Sequence, residues 1–137
     1  MKKFPNKISN NMEKGKLKQN RVHLEDHEYK TVKLLLEHGY DIELIPPMQV
    51  KGMNTPDIQF DGIVWEIKSP TGGGKHTIKH NIQNAKRQSR NVIIDLRRCG
   101  LPEERAIKES EHHFSLSKRL QRMKIITKSE EILDYYK

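Results

Sequence analysis

Asp57, Glu66 and Lys68 fall within one short run, Pro56-Asp57-Ile58-Gln59-Phe60-Asp61-Gly62-Ile63-Val64-Trp65-Glu66-Ile67-Lys68, which sets acids and a lysine among strong strand formers. Two carboxylates and an ammonium can hold a divalent cation, share a proton or neutralise one another. Asp61-Gly62 between two β-prone segments is the signal of a two-residue hairpin turn, because both central positions need positive φ. That turn sets Phe60 opposite Ile63, Gln59 opposite Val64, Ile58 opposite Trp65 and Asp57 opposite Glu66. With a strand period of two, Ile58, Phe60, Ile63, Trp65 and Ile67 share an apolar face. Asp57, Gln59, Val64, Glu66 and Lys68 share the other.

Like charges directly opposed destabilise a sheet, so something must offset the pair. A cation could bridge the carboxylates, Lys68 could neutralise one, or one could be held protonated. With oxygen ligands the cation expected is Mg²⁺ or Mn²⁺, held by Asp57, Glu66 and a backbone carbonyl such as that of Ile67. Lys68 would then lie close enough to orient or deprotonate a water, or to stabilise charge on a phosphate. The bland alternative is a solvent-facing hairpin with a Glu–Lys pair at its rim.

The elements around the run form an α/β pattern. Leu24 to His38 is helical, with Val32, Leu35 and Leu36 as its stripe and Gly39 as its stop. Glu28 lies four residues before Val32, on the stripe's own face, where a carboxylate must snorkel, pair or do chemistry. "YDIELIPP" reads as a strand and residues 48–55 as a loop. After the hairpin and the loop "SPTGGGKHT", residues 75–90 form a helix with Ile78, Ile82 and Ala85 inward. Lys79, Lys86, Arg87 and Arg90 lie on its other flank or outer face. "NVIIDL" reads as a buried strand, and residues 102–114 as a helix with 116–123 a further candidate. "KIIT" reads as a short strand, and "SEEILDYY" as a terminal helix capped by Ser129. The sum is a layered α/β domain with a mixed central sheet flanked by helices.

A length of 137 residues allows one domain with a single modest core. Residues 1–20, rich in Lys and Asn without apolar periodicity, are expected to be a basic flexible arm or linker, leaving residues 21–137 as the domain. No apolar run approaches the roughly 20 residues of a membrane helix, and no charged-then-apolar leader stands at the start. The lone Cys99 excludes an internal disulfide framework and reads as an unpaired thiol in a reducing compartment. The net charge of +8 is unevenly divided. Residues 22–67 hold three Lys and nine Asp/Glu, and residues 68–98 hold eight Lys/Arg and one Asp. The boundary falls between Glu66 and Lys68. A basic surface beside a carboxylate cluster suits an enzyme that holds a polyanion and works on it through a cation. A solvated basic surface without a partner gives the same distribution. The Gly72-Gly73-Gly74-Lys75 run lacks the spacing of a Walker motif, which argues against ATP. A helix start flanked by glycine, Lys75 and His76 can still hold a backbone phosphate, and a flexible connection is the alternative reading.

Asp57, then Glu66-Ile67-Lys68 nine residues on, resembles the PD-(D/E)XK nuclease signature, and the helix–strand–hairpin–helix–strand order around it resembles that family's restriction-endonuclease-like αβββαβ core. The resemblance covers residues 24–97. It implies that Asp57 and Glu66 bind a divalent metal and that Lys68 assists the attacking water. It also implies that Glu28 completes the metal shell and that Gln88 is a polar site residue on the following helix.

The run "WEIKSPTGGGKHTIKHNIQNAKRQSRNVIIDL" further resembles the C-terminal toxin tips of bacterial contact-dependent growth-inhibition proteins. That likeness implies a nuclease domain of a secreted toxin, acting in the cytoplasm on RNA such as tRNA, with DNA the other substrate consistent with the sequence. Lys75, His76, Lys79, Lys86, Arg87, Gln88 and Arg90 would track the nucleic-acid backbone, and an acidic cognate immunity protein would restrain the enzyme. Two competing readings stay open. One is a metal-independent ribonuclease of the barnase/EndoU/colicin/RelE kind, using Lys68, Ser69, Lys75, His76 and Thr77. The other is a non-catalytic nucleic-acid-binding module.

Overall fold

The computed structural model describes residues 2–6, 14–48 and 55–137. Residues 49–54, most of the expected 48–55 loop, and residues 7–13 of the expected arm lie outside the described residues. In chain order the elements are β1 (Lys2–Asn6), β2 (Leu17–Lys18), α1 (Asp26–Glu37), β3 (Ile42–Leu44), β4 (Ile58–Phe60), β5 (Ile63–Lys68), α2 (Thr77–Gln88), β6 (Asn91–Asp95), α3 (Glu103–Leu116), β7 (Arg122–Ile126) and β8 (Ile132–Tyr136). The strands form one mixed sheet in the order β1-β8-β7-β6-β5-β4-β3-β2. Within it α1-β3-β4-β5-α2-β6 reproduces the expected αβββαβ order. No described helix is long and apolar enough to cross a membrane.

The hairpin that the Asp-Gly signal predicts is present in the expected register, with Ile58, Gln59 and Phe60 paired to Trp65, Val64 and Ile63. Asp61 and Gly62 both adopt positive φ, at 53° and 74°. β5 and β6 then run parallel, with Glu66, Ile67 and Lys68 aligned to Val92, Ile93 and Ile94. This places β5 between β4 on one side and the fully buried β6 on the other.

Two apolar clusters sandwich the sheet. On one face Val32, Leu34 and Leu35 of α1 pack with Ile58, Phe60, Trp65, Ile67 and Ile93. On the other Ile78, Ile82 and Ala85 of α2 and Ala106 and Phe114 of α3 pack with Val92, Ile94, Met123 and Ile125. Because side chains alternate along β5, burying Trp65 and Ile67 against α1 sends Glu66 and Lys68 to the α2 side. Lys124 is the polar intruder in the α1 layer. It pairs with Asp134, bonds the Tyr40 hydroxyl at 3.0 Å and lies 5.3 Å from the Trp65 ring centroid.

Three expectations change. The segment 129–136 is not a terminal helix: Ile132–Tyr136 is β8, antiparallel to β7 along its whole length. The reversal uses Glu130 at positive φ, whose N–H bonds the Thr127 carbonyl. Alternation then serves both layers, Ile132 joining the α1 cluster and Leu133 and Tyr135 the other, which a one-sided helix could not do. Residues 116–123 form no further helix. Ser117 is extended, its hydroxyl takes the Leu120 N–H, and β7 begins at Arg122. Within the expected arm, Lys2–Asn6 pair with β8 and Leu17–Lys18 with β3, so these parts are edge strands. Edge pairing is made by backbone groups, and a proline such as Pro5 is tolerated there, so apolar periodicity gives no signal for it.

Gly62→Ala places a side chain in the left-handed region and should lower the unfolding free energy by about 1 kcal/mol. Urea denaturation measures this; an unchanged midpoint would contradict the turn geometry.

Candidate active site

The regular hairpin ladder ends at the Ile58–Trp65 pair, and Asp57 bends away from it. The Asp57 N–H bonds the Trp65 carbonyl at 3.0 Å, and its carbonyl accepts from Ile45. Its carboxylate Oδ2 accepts the Ile67 N–H at 2.7 Å. Asp57 thus replaces the next ladder bond with a side-chain bond, satisfying a strand donor that β4 no longer reaches. The same bond fixes the carboxylate beside Glu66.

Glu66 is only 5% exposed. Its Oε2 lies 3.2 Å from the Lys68 ammonium, while Oε1 is buried with no hydrogen-bond donor. Burial, and after it the Asp57 charge, push the Glu66 carboxyl up to about 8, with Lys68 opposing. Once protonated, Glu66 bonds Asp57, which also favours the neutral form. A lone ammonium therefore does not neutralise the pair, and the orphaned Oε1 calls for a proton or a cation. An oxygen-only pair of this kind fits a hard divalent ion.

Glu28 is half-buried in the first turn of α1 and shares with Asp57 a cavity of about 180 Å³, lined also by His23, Thr55 and Pro56. Its side chain also accepts the Glu25 N–H at 3.2 Å, closing a capping box. Its closest acidic grouping is with Glu25 and His27, whose ligand atoms lie within 4.8 Å of one another. Among the described residues, Glu28, Asp57 and Glu66 form no equally tight trio.

The expected backbone-tracking residues divide into two groups. Lys75 and His76 are exposed just before α2, and Lys79 is exposed in its first turn. Lys79 and Lys86 face a groove shared with His112 and His113 of α3. Arg87, Gln88 and Arg90 lie around the far end of α2, where Ser89 bonds the Val64 carbonyl at the start of β5. Gln88 is thus at the end of α2 that adjoins the start of β5. The hydroxyls of the competing metal-free reading are engaged: Ser69 accepts from Arg98 and Thr77 from the Gly74 N–H.

Residues that, Ser69 apart, carry no role in the sequence reading surround a second cleft of about 400 Å³. Asp26, His27 and Lys30 come from α1, and Ser69, Asp95, Arg97 and Arg98 from the ends of β5 and β6. Asp95 is buried, accepts the Thr31 hydroxyl at 2.6 Å and is forked by Arg97. Its signal in the sequence is an acid between Ile94 and Leu96 in the run "NVIIDL", which a buried strand carries only with a partner. The Gly-rich loop packs on the segment after β6, where the Gly100 N–H bonds the Gly72 carbonyl at 3.1 Å. A Cβ at Gly100 would lie 3.1 Å from the Gly73 nitrogen, so glycine here permits a close backbone approach.

Residues 54–132, more than half of the chain, match the family model described as the contact-dependent growth inhibition CdiA C-terminal domain. That span contains Asp57, Glu66 and Lys68 but not Glu28. The chain is similar in fold to a solved structure of a CdiA-CT/CdiI toxin and immunity complex from Burkholderia pseudomallei, with a TM-score of 0.68 at 20% identity. The alignment covers 90% of this chain and 100% of that one. No curated protein matches the sequence significantly.

A carboxyl raised on folding binds its proton more tightly in the folded state. Its contribution is therefore full below the ordinary value of 4.5 and is lost as pH rises towards about 8. With chelator present, Glu66→Gln should gain stability relative to the unmodified chain between these limits, measured by urea denaturation at several pH values. A pH-independent difference would contradict the burial of an ionisable Glu66.

Proposed function

Because this chain belongs to the contact-dependent growth inhibition CdiA C-terminal domain family, we propose that it is a toxin nuclease that hydrolyses phosphodiester bonds with a divalent metal. The observation that carries this reading is the buried Glu66 Oε1, without a donor, beside Asp57 and on a carboxylate whose Oε2 lies 3.2 Å from the Lys68 ammonium. Asp57 and Glu66 would hold Mg²⁺ or Mn²⁺, with Glu28 reaching the site from the neighbouring cavity. Bound there, the metal would supply Lewis-acid stabilisation of a phosphoryl oxygen and lower the pKa of a coordinated water.

The chain's own groups have separable tasks. Asp57, fixed by the Ile67 N–H, presents its carboxylate without rotamer freedom. Glu66 supplies the second anionic oxygen from a site that excludes water. The Lys68 ammonium, side chain 23% exposed, can orient the attacking water and stabilise negative charge on the phosphate.

The substrate proposed is RNA, tRNA in particular, held by the basic residues at the start of α2. Delivery would be as the end of a secreted toxin. The described neighbour is a toxin and immunity complex, which supports a cognate immunity protein for this chain as well, acidic enough to cover its basic face.

Incubating the chain with total tRNA and with plasmid DNA, in Mg²⁺ or in EDTA, tests the reading. Cleavage of tRNA in Mg²⁺ alone is expected, and Asp57→Ala, Glu66→Ala and Lys68→Ala should each slow it by about 100-fold or more. Full activity in EDTA would overturn the metal-dependent mechanism. Cleavage of neither substrate in Mg²⁺ or Mn²⁺ would overturn the enzymatic one.

A further inference from the structure

The cleft at the carboxyl ends of β5 and β6 carries two cations that pair with no carboxylate among the described residues. Adjacent parallel strand ends are where open α/β sheets form ligand crevices. Arg97 is consumed there: its fork holds Asp95, and its Nη1 bonds Glu130 at 3.1 Å. Arg98 is different. Its Nε and Nη2 grip the Ser69 carbonyl and hydroxyl, and its Nη1 makes no hydrogen bond among the described residues. The Lys30 ammonium, facing the same cleft from α1, likewise has no ion pair or hydrogen bond among the described residues. Among the lining residues Lys30, Arg97 and Arg98 outnumber Asp26 and Asp95 by one charge, while Glu130, which Arg97 also holds, is not among them.

Arg98 is also unusually well fixed for an exposed arginine. The loops after β5 and β6 are joined by Gly100 to Gly72 and by Arg98 to Ser69, and Lys128 bonds the Cys99 carbonyl at 2.9 Å. A guanidinium held this way loses little freedom on binding an oxyanion, and pairing it with an ammonium matches a phosphate better than a carboxylate. Ser69 directly follows Lys68, so the anchor of Arg98 is contiguous with the proposed catalytic strand.

We infer that Arg98 and Lys30 form a subsite for a backbone phosphate of the nucleic-acid substrate, next to the phosphate that is cut. The inference rests on the nucleolytic reading of Asp57 and Glu66 for its place in the reaction, but binding tests it separately. Labelled tRNA is titrated with the full chain in EDTA over a range of salt concentrations. Arg98→Ala and Lys30→Ala should each weaken binding by about five- to tenfold and flatten the slope of log affinity against log salt by about one unit. Arg98→Lys should keep the slope. Ser69→Ala, which loosens the anchor without removing charge, should lower affinity and also keep the slope. Lys108→Ala, an exposed cation on α3 paired with Glu104, should change neither quantity.

Unchanged affinity and slope in both Arg98→Ala and Lys30→Ala would overturn the subsite, even if the chain cleaves tRNA. The expected slopes in a chain that never cleaves would leave the subsite standing and overturn the catalytic reading. A loss of affinity in Arg98→Ala with an unchanged slope would mean a loop support rather than a phosphate contact, and would also overturn it.

Discussion

Glu66 is withdrawn from water beside a second carboxylate, and one ammonium is not enough to compensate. Each surrounding feature bears on that imbalance. The Asp-Gly turn sets the register that brings Asp57 to the end of its strand, and the Ile67 N–H holds it there. α1 covers Trp65 and Ile67, which fixes Glu66 on the opposite side, and β6 closes the flank with apolar residues. The site is a place where the fold tolerates an unfavourable electrostatic arrangement. Such arrangements persist where a proton or cation resolves them, and they concentrate at functional sites.

The second organising element is the joining of the loops at the strand ends. In sequence the three glycines suggest either a phosphate cradle or slack. In the fold they allow the backbone to approach the Gly100 segment, and that contact fixes Arg98 and Ser69. The Asp95–Arg97–Thr31 network performs a parallel task, tying α1 to the end of β6 through a buried carboxylate. Rigid loops above a mixed sheet thus bring residues from α1, β5 and β6 to one edge of the molecule.

What the sequence disclosed follows from how local each determinant is. The hairpin was legible because two turn residues and a period-two pattern act within about ten residues. The candidate site was legible because Glu66 and Lys68 belong to that hairpin and Asp57 directly precedes it. Ser129-Glu130-Glu131 has the composition of a helix start, whereas the conformation of β8 is set by pairing with β7. The edge strands were invisible because backbone pairing leaves no side-chain pattern. Glu28 joins the Asp57 site by resemblance, and the two line one cavity, but spacing could not reveal its capping bond to Glu25. Gln88 enters by resemblance alone, and the direction of α2 sets it at the helix end beside Ser89 and the start of β5. Arg98 and Lys30, from separate elements, meet only in three dimensions.

The charge boundary between Glu66 and Lys68 also acquires a structural meaning. The acidic Asp57 and Glu66 lie away from the hairpin turn, and basic Lys68 follows at the end of β5, with Arg98 bonded to Ser69 just beyond it. A polyanion can be held by one set while the other holds a cation near it. The most direct test of that account is the binding of Mn²⁺, followed by electron paramagnetic resonance on the purified chain without nucleic acid. The account predicts a bound ion in the unmodified chain that is lost in both Glu66→Gln and Asp57→Asn. Unmodified Mn²⁺ binding in those two variants would contradict it.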